Sequence, residues 1–80
     1  MANCRYGFSY CGKTLLNVGN YENDIKKALS ARGQPTDAAH ILYSLFNCDG
    51  FLDGSIQFIQ YCGTGGCIDA GAGNDDKCTA

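Results

Sequence analysis

The sequence predicts a small α+β domain: an antiparallel sheet of three or four short strands, one main helix at about residues 20–32, a short second helix, and three disulfides holding them together. Three observations predict it. The chain has 80 residues, so one modest and marginal core is all it can build. It has six cysteines, Cys4, Cys11, Cys48, Cys62, Cys67 and Cys78, an even count spread along a short chain, as in disulfide frameworks of oxidising compartments. Segments of period two flank one segment with a clear helical period.

The elements follow in order. "CRYGFSYC" alternates Tyr6, Phe8 and Tyr10 and reads as a strand with one aromatic face. "GKTLLNVGN" is short, broken by Gly19, and reads as a glycine turn rather than a helix start. "NYENDIKKALSARG" is the clearest helix. Asn20 suits the N-cap, Glu22 and Asp24 lie in the first turn, and Glu22 and Lys26 make an i, i+4 pair. Tyr21, Ile25, Ala28 and Leu29 form its apolar stripe, Gly33 can cap its end and Pro35 bars continuation. "PTDAAHILYSLFNC" predicts a helix at roughly 37–42, capped by Thr36, running into a strand that ends at Cys48. "SIQFIQYC" is the next strand, and the Asp-Gly pairs of "DGFLDG" between the two give hairpin chemistry. The remainder is loop-like, with Asp75 and Asp76 read as solvated and Cys78 pinning the tail. One domain, residues 1–80, is expected.

Charge excludes some functions. The net charge is −2. Residues 1–35 carry five bases and two acids, whereas residues 36–80 carry one base and six acids. No basic run of nucleic-acid-binding type occurs, and the sign does not suit a cationic membrane-lytic peptide. No apolar run is long enough to span a membrane. "MANC" has no apolar core of a signal peptide, so a secreted protein is expected to have shed its leader, with Met1 an added residue. Of the 15 ways to pair six cysteines, the expectation is Cys67–Cys78 closing the tail, with Cys4 and Cys11 tying the first strand to Cys48 and Cys62. Zinc is disfavoured: C-x6-C and C-x4-C are not knuckle spacings, and His40 is the single histidine.

Two motifs invite specific readings. "GFSYCGKT" meets the phosphate-loop pattern at Gly7, Gly12, Lys13 and Thr14. Such a loop needs a buried parallel strand before it and a helix directly after it. "MANCRY" is too short and polar for that strand, so Lys13 and Thr14 are expected to be turn residues. "DGFLDGSIQFIQ" resembles half a calcium loop. With Gly54 central, Asp49 and Asp53 fall on ligand positions, but Phe51 and Gln60 stand where oxygen ligands belong. Asp37, His40 and Ser44 share a face only on a continuous helix and read as local hydrogen-bonding residues, not a catalytic triad. No catalytic residue, cofactor or resident metal is expected.

"YCGKTLLNVGNY", "GQPTDAAHILYSLFNC" and "IQFIQYCGTGGCIDAGAGNDDKC" resemble a group of small cysteine-rich secreted proteins of filamentous fungi. The resemblance runs from about Tyr10 onward and rests on the frame Cys11, Cys48, Cys62, Cys67 and Cys78 with "SLFNC" and "YCG". The helix–strand–"FIQYC" order also resembles, more loosely, the α/β fold of fungal killer toxins. The resemblance implies an extracellular, non-enzymatic, effector-like monomer that binds a protein or surface glycan of a host or competitor. The alternatives are a killer or antimicrobial toxin, and a calcium-binding module through Asp49 and Asp53.

Overall fold

The computed structural model describes residues 4–50, 55–71 and 73–79. In chain order the elements are β1 (Ser9–Cys11), α1 (Gly12–Val18), α2 (Glu22–Ala31), α3 (Ala38–Tyr43), β2 (Ser44–Cys48), β3 (Ile56–Tyr61), β4 (Cys67–Ile68) and β5 (Lys77–Cys78). β1, β2 and β3 form an antiparallel sheet with β2 in the centre, and β4 and β5 form a separate two-stranded ribbon. The α+β class, the main helix, the short helix and the β2–β3 hairpin expected from the sequence are present. The turn between those two strands falls partly on residues 51–54, outside the described residues.

The core grows from the stripe on α2. Tyr21, Ile25 and Leu29 are buried, and they meet Leu15 of α1 and Phe46 of β2. Phe58 approaches Phe46 edge to face, with ring centroids 6.1 Å apart. Tyr21 occupies the N-cap position of α2 in place of Asn20 and makes no side-chain cap. Its side chain is committed to the core, and its hydroxyl accepts from Cys4 N–H. At the other end Gly33 adopts φ +68°, and Gln34 N–H returns to Leu29 O. α3 is capped by Asp37, not Thr36: its carboxylate accepts from His40 N–H at 2.8 Å.

"GKTLLNV" is a helix, contrary to the expected turn. Gly12 opens it because α1 crosses beneath the end of α3: a Cβ on Gly12 would collide with Ile41 O. The aromatic strand is also shorter than expected. Only Ser9–Cys11 pairs, and Tyr6 lies ahead of it, before a turn at Gly7 (φ +87°), and is 57% exposed. Between Leu45↔Gln60 and Phe46↔Phe58 the register slips, leaving Ile59 as a bulge on the outer strand.

Three disulfides form, Cys4–Cys48, Cys11–Cys67 and Cys62–Cys78. Cys4 does reach Cys48, but Cys67 and Cys78 are not joined. They sit directly opposite each other in the ribbon, yet Cys67 bridges to the end of β1 and Cys78 to the residue after β3. The ribbon therefore lies across the end of the sheet, above the start of the central strand, with Cys67 Sγ 4.0 Å from Ser44 O. A bridge inside the ribbon would have left it without a covalent tie to the sheet.

Candidate functional site

The tail is not a solvated appendage. Asp76 is 3% exposed. Its Oδ2 accepts from Cys11 N–H and its Oδ1 from Ala70 N–H, each at 2.9 Å. Asp76 N–H donates to Ser9 O at 3.0 Å, and Asp75 Oδ1 accepts from Ser9 N–H at 2.9 Å. The two carboxylates thus close the free edge of β1, whose backbone groups would otherwise seek partners in water. This corrects the reading of Asp76 as solvated, while Asp75 is exposed as expected and still lends one oxygen to the edge: a sheet edge with no neighbouring strand offers amides that carboxylates can satisfy.

Clamping the tail to β1 leaves a cleft of about 310 Å³ between the tail and α1. Arg5, Tyr10, Thr14 and Val18 line one wall, and Asp69, Asn74 and Asp76 the other. One bond fixes each of several polar groups. Tyr10 Oη accepts from Arg5 N–H at 2.8 Å, Asp69 Oδ1 from Gly71 N–H at 2.9 Å, and Asn74 Nδ2 donates to Ala70 O at 3.3 Å. The Arg5 guanidinium lies 6.0 Å from the centre of the Phe8 ring. Thr14 Oγ1 is shielded from solvent and has no hydrogen-bond partner among the described residues.

The letters of "GFSYCGKT" have structural explanations. Gly7 makes a left-handed turn, Gly12 admits Ile41 O, and Lys13 is exposed. Cys11 is bonded to Cys67, and its N–H, which would face a phosphate, already holds the Asp76 carboxylate. A negative group in that position opposes a nucleotide phosphate, even though a helix does follow.

His40 is a local hydrogen-bonding residue. Its Nδ1 donates to Asp37 Oδ1 at 2.8 Å, and its ring stacks on Tyr61 at 3.9 Å. The His40 backbone N–H and then its ring hold the Asp37 carboxyl below its ordinary value of 3.8, outweighing slight desolvation. Ser44 is not on that face: α3 ends at Tyr43, and Ser44 begins β2, fully buried. Of the calcium candidates, Asp49 N–H closes the hairpin onto Ser55 O, and Asp53 lies outside the described residues. Among the described residues no group of three or more His, Cys, Asp or Glu side chains could hold a metal ion. No helix among them is long and apolar enough to cross a membrane.

No family model, curated protein or solved structure matches the chain. Three disulfides in so small a domain are consistent with an extracellular protein.

Proposed function

We propose that the protein is a secreted, non-enzymatic, effector-like fungal protein that acts by binding a protein or surface glycan of a host or competitor. The observation that carries this reading is the closure of all six cysteines. It removes every thiol nucleophile and gives a protease-resistant scaffold to a chain too short to gain such rigidity from its core. The resemblance to fungal cysteine-rich secreted proteins supports the same reading. The surface offers contacts of the right kind: Tyr6, Val18, Ile59 and Ile68 are all more than two-fifths exposed.

The test is affinity capture from host and competitor cell-wall extracts. The oxidised protein is expected to retain a protein or glycan that the reduced and alkylated protein does not. Capture of nothing by the oxidised form would defeat the reading. Dose-dependent killing of fungal or bacterial cultures by the purified protein would replace it with the toxin reading.

A further inference from the structure

The cleft between α1 and the tail is a candidate site for a small ligand. Resting on the interaction function proposed above, we propose that it binds one neutral sugar residue of a surface glycan.

The polar groups of the cleft decide the ligand's chemistry. Asp69 and Asp76 both line the cleft, with Arg5, Tyr10 and Asn74 around them. A phosphate or acidic sugar would meet two carboxylates. A cation would find both Asp76 oxygens already engaged by backbone amides, and one Asp69 oxygen held by Gly71 N–H. A neutral ligand rich in hydroxyls avoids both conflicts, because its hydroxyls can donate to Asp69 and accept from Asn74 Nδ2.

The cleft is also prepared for such a ligand. Tyr10 Oη accepts one bond and keeps its O–H to donate. Asn74 uses one N–H on Ala70 O and retains its other N–H and its Oδ1. Asp69 Oδ1 is steadied by Gly71 N–H and its second oxygen remains available. Side chains oriented by one bond and open in another direction are a pre-organised polar rim. Val18, 41% exposed, and the Tyr10 ring supply apolar surface for the C–H face of a sugar. The volume of about 310 Å³ suits one or two rings rather than a long chain segment. Thr14 Oγ1, without a partner, gains one from a ligand hydroxyl after a χ1 rotation turns it into the cleft.

The test is titration of the isotopically labelled, disulfide-intact protein with neutral mono- and disaccharides, followed by amide NMR shifts. Saturable shifts at Arg5, Tyr10, Thr14 and Asn74 are expected, with dissociation constants on the order of millimolar for a single ring. Thr14→Val and Asn74→Ala are each expected to weaken binding about fivefold, as loss of one hydrogen bond predicts. Thr14→Val removes an unpaired hydroxyl, so its melting temperature is expected to hold or rise, which separates lost binding from lost folding. No saturable shift with any neutral sugar, or shifts that both variants leave unchanged, overturns the proposal. Capture of a protein partner by wild type and both variants alike would overturn the sugar site and leave the interaction function standing; capture of nothing would overturn both.

Discussion

The helical half and the tail of this molecule are held by different forces. Under α2, five buried residues close a continuous apolar cluster. Among the described residues beyond Tyr61, Cys67 is the one apolar side chain that is buried. The ribbon and the loop around it are fixed by two disulfides and by two carboxylates lying along β1. Apolar packing is non-directional and needs several side chains converging on one place. A glycine-rich tail with Ile68 half exposed offers no such convergence, so it is held by covalent bonds and charge-assisted hydrogen bonds, each acting at one point. The cleft arises where the two kinds of region meet.

The largest effect is expected inside the core. Phe46→Ala removes the residue that joins the sheet to α2 and Phe58, and is expected to cost about 3–5 kcal/mol, read as the shift in urea-unfolding midpoint. An equal loss from a tail substitution would dissolve the contrast between the halves. Next comes the tail's own staple. Replacing both Cys62 and Cys78 by serine opens a loop whose ends are 16 residues apart and is expected to cost about 3 kcal/mol. Hydrogen exchange should locate the loss in residues 63–79 while the α2 amides stay protected. Gly12→Ala tests the packing of α1 against α3 inside the helical half: with Ile41 O in the way, about 1–3 kcal/mol should be lost, and α1 and α3 should separate in amide shifts. Asp76→Asn leaves one amide facing an NH₂ instead of an oxygen and is expected to cost about 1–3 kcal/mol, with faster exchange at Cys11 or Ala70.

The smallest effect belongs to Asp37. Its carboxyl is held below its unfolded value, so its contribution is present above that value and is lost as pH falls through the lower, folded one. The melting temperature of wild type is therefore expected to fall more than that of Asp37→Asn between about pH 5 and about pH 2. Parallel curves would remove Asp37 from the acid response.

Legibility followed the range of the interaction. The α2 stripe of Tyr21, Ile25, Ala28 and Leu29 and the β2–β3 hairpin repeat over a few residues, and both were readable. α1 was not, because Gly12 and Gly19 at its ends look like turn residues until Ile41 O is seen against Gly12. Asp76 carries no local sign of burial, and neither it nor the exposed Asp75 announces its partner: those partners are Cys11 and Ser9, over sixty residues away. The same distance hid the cleft, whose walls come from residues 5–18 and 69–76.

The sequence by itself determined the class of the molecule: 80 residues, six cysteines, one amphipathic helix and two alternating segments permit little besides a disulfide-held α+β domain. Tertiary structure alone decided which cysteines meet and what the acidic tail does. Cys67 and Cys78 face each other across a ribbon and still bond elsewhere, because the ribbon is laid across the end of the sheet and its sulfurs reach the outer strands first. Local pattern sets which elements form; only their packing sets which groups of distant sequence come within bonding range.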